Sequence, residues 1–327
     1  MPFHTHPARR RTGRTDVRKA SIGDGPYGAE LEAIFARTLL EAINQLKQHL
    51  STGEVEAAIR TSIDDAVRAL DAVFAELDVS ALVDAMTSEI VKAGLEQVPI
   101  LPNKSGIRFS FNTSDPRAIQ WARKRAGQLI VQVGDETVTL VRGVTARLLN
   151  GEITLRAAKG EISRNVGLFE KWQKAVDNSY EETLQRLLDE GYDIDDAESM
   201  AAGVADKYSQ RLVKVRASNI ARTELATAQN QGRYLGWQQA AEQGLFDPDD
   251  VMKEWRTAPE FVSSKTEVCP ICEPLDGLQA FIWDEFPDTG VLMPPIHPNC
   301  RCRAVLIVSP IEDVIARVEA ARLEYNY

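Results

Sequence analysis

Residues 210–243 read QRLVKVRASNIARTELATAQNQGRYLGWQQAAEQ. No proline interrupts this stretch, and it is rich in Ala, Gln and Arg, so it predicts one long helix or two in series. Gly244 ends it. Downstream, Pro248, Pro259, Pro270, Pro274, Pro287, Pro294, Pro295 and Pro298 crowd into a region that cannot be helical. Upstream, nearly every segment has helical spacing. The chain therefore divides into a mainly α-helical body and a small C-terminal α+β lobe.

Leu31, Ile34, Phe35, Leu39, Ile43, Leu46 and Leu50 form an amphipathic stripe that predicts the first helix. Ile59, Ile63, Val67, Leu70 and Phe74 predict a second. A third carries Leu82, Met86, Ile90 and Leu95, with Ser80 as its expected N-cap. Residues 29–98 form an N-terminal helical region. The alternating Ile107-Arg108-Phe109-Ser110-Phe111 predicts a short strand. Ser114-Asp115-Pro116 reads as an N-cap followed by a first-turn proline, opening a body over residues 115–244. Within it a separate helix is expected over Glu136–Leu149, one or two between Trp172 and Leu188, and one capped by Asp195 over Ala197–Tyr208. In residues 245–327 the runs 251–257, 278–282 and 303–308 predict short strands, and 311–323 a closing helix. Trp237 and Trp255 are expected in the core.

None of the four cysteines lies in the first 268 residues. They occur as Cys269-Pro270-Ile271-Cys272 and His297-Pro298-Asn299-Cys300-Arg301-Cys302. A Cys-x-x-Cys turn aims two sulfurs at one centre, and residues i and i+2 of an extended segment share a face. Five donors, Cys269, Cys272, His297, Cys300 and Cys302, compete for the four positions of one tetrahedral zinc, which makes the lobe knuckle-like. Two disulfides or four buried thiols are the alternatives. A catalytic zinc needs an open position and a nearby base. His297 is the only histidine after His49, and the His-x-Glu of zinc deaminases is absent. The expectation is a structural ion and no enzyme activity.

Composition narrows the partners. The 327 residues carry a formal charge of −10, against wholesale coating of a polyphosphate. No uncharged apolar run approaches membrane-spanning length, and the basic N-terminus lacks the apolar segment of a signal peptide. Residues 1–23 hold six cations against one acid, so residues 1–28 read as a basic, disordered arm. Through Arg9, Arg10, Arg11 and Arg14 it is a candidate contact for DNA or an acidic partner. Phosphate-binding loops and hydrolase elbows are absent, which leaves no small-molecule substrate in view. On the long helix, Arg222 and Gln229 share a face. A solvated face with local ion pairs is the plainer reading, and a face against a partner or the lobe is the other.

Three blocks in order, Ile220-Ala221-Arg222-Thr223-Glu224 with Asn230-Gln231-Gly232, then Trp255-Arg256-Thr257, then the cysteine block with Leu275-Asp276-Gly277 and Pro294-Pro295, resemble the phage Mu F-like minor head proteins of the head-morphogenesis family over about residues 115–308. The resemblance implies a structural minor head protein of a tailed phage or prophage. It would be made in the host bacterial cytoplasm and placed in the virion head. Portal and other head proteins would be its partners, in head assembly and DNA packaging or ejection. A nuclease-like, metal-dependent enzyme acting on phage DNA is the alternative. The same motif implies that Arg222, Thr223 and Glu224 fix the lobe onto the helical body, with Arg222 or Glu224 expected to make the buried polar contact.

Overall fold

The computed structural model describes residues 29–50, 53–75, 77–98, 101, 108–257 and 269–307. The basic arm with Arg9, Arg10, Arg11 and Arg14, and the expected helix over 311–323, lie outside the described residues. Eight helices are described: α1 (Ala29–Leu50), α2 (Gly53–Thr61), α3 (Ile63–Ala75), α4 (Ser80–Leu95), α5 (Pro116–Leu149), α6 (Leu155–Asn165), α7 (Glu170–Asp189) and α8 (Ile194–Glu242). Strands β1 (Met252–Arg256), β2 (Gln279–Phe281) and β3 (Arg303–Ile307) follow. The helical body and small α+β lobe expected from the sequence are both present.

Helix α8 is the axis. Its 49 residues span about 74 Å at 1.5 Å per residue. Helices α1, α4 and α7 pack along it, and α5 carries α3 and α4. One helix thus replaces the two in series. It also absorbs the expected 197–208 helix, because Asp193 rather than Asp195 supplies the cap, its carboxylate accepting from the Asp196 N–H at 3.0 Å. Gly244, at φ +75°, ends the helix as expected. The C-terminal strands form an antiparallel sheet in the order β2-β1-β3. Lys253 pairs with Ala280 on one side and with Leu306 on the other.

Four local expectations change. The one helix expected through Ile59, Ile63, Val67, Leu70 and Phe74 is two, α2 and α3, broken at Ser62. Helix α5 runs unbroken, so Glu136–Leu149 is no separate helix. Its β-branched Val133, Thr137, Val141 and Val144 are tolerated because they recur at three- and four-residue steps on one buried face. Ser80 does not cap α4. The Asp78 carboxylate accepts from the Ser80 N–H at 2.8 Å and does the work two residues earlier. Residues 108–112 form no strand, although the alternation is correct, with Phe109 and Phe111 buried between exposed neighbours. Their backbone pairs with glutamines of α8 instead. Asn112 N–H donates to Gln239 Oε1 at 2.7 Å, and Gln243 Nε2 donates to the Ser110 carbonyl at 2.9 Å. Asp115 does cap α5, accepting from the Arg117 N–H at 2.9 Å ahead of Pro116.

Helices α4 and α8 cross closely at Gly232. A Cβ there would sit 2.2 Å from the Ile90 carbonyl oxygen, a backbone atom that cannot swing aside. Gly232→Ala should therefore push the helices apart and cost about 2–3 kcal/mol, in the range of an overpacked core. The check is the urea midpoint; an unchanged midpoint would show that the crossing yields freely.

Candidate metal centre

The lobe is organised around β1. Trp255 is fully buried and packs edge-on against Phe286, with ring centroids 5.2 Å apart. Trp237 is also fully buried, its indole N–H donating to Gln97 Oε1 at 3.1 Å. The Trp255 N–H donates to the Leu278 carbonyl and the Gly277 N–H to the Trp255 carbonyl, both at 2.8 Å. Gly277 takes φ +81°, a conformation that costs glycine nothing. Asp276 accepts from both the N–H and the hydroxyl of Thr257 at 2.8 and 2.9 Å. The Leu275-Asp276-Gly277 block is thus the latch that closes the turn after the first cysteine pair onto the end of β1.

Sequence reasoning missed Lys253. It is fully buried, and its ammonium donates to the carbonyls of Ile282, Asp284 and Leu292 at 3.2, 2.5 and 2.7 Å. Burial pushes its pKa down to about 8, and the charges of Asp284 and Glu285 pull it back up. It remains an ammonium at neutral pH and gathers the 282–292 loop onto β1. A lysine in a short strand beside Glu254 and Arg256 gives no sign in sequence that three distant carbonyls will meet it.

Around this frame the structure brings the five predicted donors together. Two groups have all their donor atoms within 4.8 Å of one another: Cys269, Cys272 and His297, and Cys272, Cys300 and Cys302. Cys272 belongs to both. All four cysteines are free thiols, and Cys272, Cys300 and Cys302 are buried. The first pair sits on a tight turn, in which the Cys272 N–H donates to the Cys269 carbonyl at 2.8 Å. The second half turns at Asn299, which adopts φ +60°, so that the Cys300 N–H reaches the His297 carbonyl at 3.2 Å.

The Cys272 and Cys300 sulfurs lie 3.7 Å apart. A regular tetrahedron with zinc–sulfur bonds of about 2.3 Å has an edge of about 3.8 Å, so this pair is already at ligand spacing. His297 Nε2 lies 2.9 Å from the Cys272 sulfur, and its Nδ1 is paired with the Pro298 carbonyl at 2.8 Å. That second bond leaves Nε2 as the nitrogen facing the cluster, as in a metal-bound or metal-adjacent imidazole.

Hydrogen bonding from Cys302 holds Cys300 down at about 5. Burial, then the charge of Cys300, pushes Cys272 up to about 12. Donation to Cys300 raises Cys302 as well. Metal binding at such a centre is coupled to the release of thiol protons. The donor set, its burial and the sulfur spacing fit a metal ion. The nearby acids do not converge on it: Glu273, Asp284 and Glu285 are exposed, and Asp276 is engaged by Thr257.

The Arg222–Gln229 face of α8 behaves differently from expectation. Arg222 and Gln229 do not face water. Arg222 is 7% exposed, and its Nη2 donates to Glu32 of α1 at 2.8 Å. Gln229 Nε2 donates to the fully buried Glu89 of α4 at 2.8 Å. Glu224 accepts two bonds from Arg125 of α5 at 2.5 and 2.8 Å. Neither Arg222 nor Glu224 reaches the lobe. Thr223 does, its hydroxyl oxygen accepting from the Asn299 N–H at 2.9 Å. Asn230 does so too: its Nδ2 donates to the Cys302 carbonyl, and its Oδ1 accepts from the Ala304 N–H, both at 3.1 Å. The seven-residue spacing of Arg222 with Gln229, and of Thr223 with Asn230, held the signal. The two pairs are two adjacent stripes on one helix.

Residues 169–305 match the family model described as phage Mu protein F like protein. The match begins at the start of α7 and ends within β3, so it covers α7, α8 and the whole sulfur cluster. It supports the family resemblance over that stretch; α5 and α6, which the resemblance had included, lie outside it. The family suggests a phage head morphogenesis protein. No curated protein and no solved structure matches the chain. No helix among the described residues is long and apolar enough to cross a membrane.

Proposed function

We propose that this chain is a structural minor head protein of a tailed phage or prophage, joined to the portal during head assembly, and that it is not an enzyme. The observation that carries the reading is the family match over residues 169–305, which spans the long axial helix and the cysteine lobe together. The site chemistry supports it. Cys272, Cys300 and Cys302 are buried, and a buried thiolate site suits a structural ion that serves folding rather than turnover. Zinc suits a donor set dominated by thiolates. Four of Cys269, Cys272, His297, Cys300 and Cys302 would hold it, with Cys272 common to both donor groups. Bound there, it supplies a tetrahedral cross-link between two loops.

The test is made on particles. Portal pulled down from lysates of the producing host should carry this protein, and purified heads should contain it. Deleting the gene should leave portal and shell proteins made but stop infectious heads from forming. Normal heads without the protein would sink the proposal. Divalent-ion-dependent cleavage of phage DNA by purified protein, lost on substituting Cys300, would replace it with the enzymatic reading.

A further inference from the structure

We infer that Thr223 and Asn230 are positioning residues of the metal centre: α8 holds the backbone of the His297–Cys302 knuckle at the spacing its donors need. The inference rests on the metal reading above. It starts from how each side chain is committed. The Thr223 hydroxyl donates to the Asn219 carbonyl of its own helix at 2.7 Å. Its proton is thereby fixed, and a lone pair is left to accept from the Asn299 N–H. Asn230 Nδ2 donates to the Ala226 carbonyl of its own helix at 3.1 Å as well as to the Cys302 carbonyl. That contact sets which end of the amide is nitrogen. Oδ1 is then presented to the Ala304 N–H.

Both side chains are thus anchored at one end to a rigid helix and grip the knuckle at the other. They grip it on either side of Cys300 and Cys302. Asn299 is the left-handed residue from which the knuckle turns, and Cys302 carries the gripped carbonyl. Asn230 is 1% exposed, so water cannot substitute when its bonds are lost. The neighbouring stripe, Arg222 and Gln229, binds the N-terminal helices through Glu32 and Glu89. Helix α8 therefore ties the metal centre to α1 and α4 through two interleaved pairs of side chains. Groups that orient metal ligands are worth about 10–100-fold in affinity.

The experiment uses the full chain with Zn2+ and Co2+, in the parent and in Thr223→Val, Thr223→Ser and Asn230→Ala. Chelator competition should show Zn2+ held about 10–100-fold more weakly by Thr223→Val and Asn230→Ala. Thr223→Ser, which keeps the hydroxyl, should bind like the parent. The visible bands of the Co2+ protein should shift or broaden in the two impaired variants while far-ultraviolet helicity stays at the parental level, a change that simple loss of stability would not produce. Equal affinity and an unaltered Co2+ spectrum in both variants, with the parent binding metal, would overturn the positioning role and leave the metal reading standing. No metal bound by the reduced parent would overturn both. A variant that unfolds outright is replaced by Asn230→Asp, which keeps the acceptor for Ala304 and loses the donor to Cys302; parental affinity there would also count against the inference.

Discussion

Stripping zinc from the reduced protein should unfold the lobe and leave the helical body standing. About one zinc per chain is expected by elemental analysis. After treatment with a strong chelator, amides in β1, β2 and β3 should lose protection against hydrogen exchange, while those of α1, α4, α5 and the first half of α8 keep theirs. The size follows from what holds each part. The lobe builds little apolar core of its own over residues 245–257 and 269–307. Its fully buried large side chains are few, chiefly Trp255, Ile282 and Phe286. Structural zinc in small domains contributes an apparent 10–16 kcal/mol or so at neutral pH. Losing even about 4 kcal/mol of local stability raises exchange about a thousandfold. Trp255, packed beside Cys302, should report the same event as a red shift in fluorescence. The helical body supplies Phe35 to Ala240 of a hydrophobic core that continues through Trp255, Ile282 and Phe286 to Ala304, and its own share needs no ion. A metal-free native protein, or strands that stay protected after chelation, would remove the folding role of the metal.

The difference between the two parts also explains what could be read in advance. Helices α1, α3 and α4 announce themselves because one face is apolar and packs on neighbours, so periodicity alone finds them. The strands were legible as short proline-free runs between prolines. The donors were legible because chelation by two short segments leaves its spacing in the sequence. Helix α8 hides its function because it is buried on several sides and meets partly polar surfaces. When Arg222 faces Glu32, 190 positions away, and Gln229 faces Glu89, 140 away, polarity no longer marks solvent. The partners, not the helix, determine the meaning of its polar residues. The same holds for Lys253, whose three acceptors are carbonyls of a loop and leave no side-chain signature. Residues 108–112 show the converse: alternation predicts the burial of Phe109 and Phe111 correctly, yet a row of glutamines takes the place of the neighbouring strand.

Arg222→Met should be among the most destabilising single substitutions in the helical body. The Arg222–Glu32 pair is sealed from water, with Glu32 fully buried and Arg222 nearly so. Replacing the arginine by a side chain of similar length keeps the packing and deletes the charge, so a carboxylate is left buried beside methionine. Breaking a buried pair in this way costs about 3–5 kcal/mol. The pair is imperfectly served even in the parent, since Glu32 Oε2 and Arg222 Nε have no hydrogen-bond partner. That separates two accounts of its purpose. If the pair is there for stability, Arg222→Met with Glu32→Leu should remain as unstable as the single variant. If desolvation roughly cancels its attraction, the double variant should recover most of the loss, with a coupling of about 3 kcal/mol in the double-mutant cycle. Recovery is the expected result. The pair would then act as a register key: it penalises any slide of α8 that carries Arg222 past Glu32, because each step leaves two buried charges unmatched. The recovered double variant should consequently be stable but less specific, with α1 exchanging faster than in the parent although the global unfolding midpoint is similar. A parental midpoint for Arg222→Met alone would show that water reaches Glu32 and that the key does not exist.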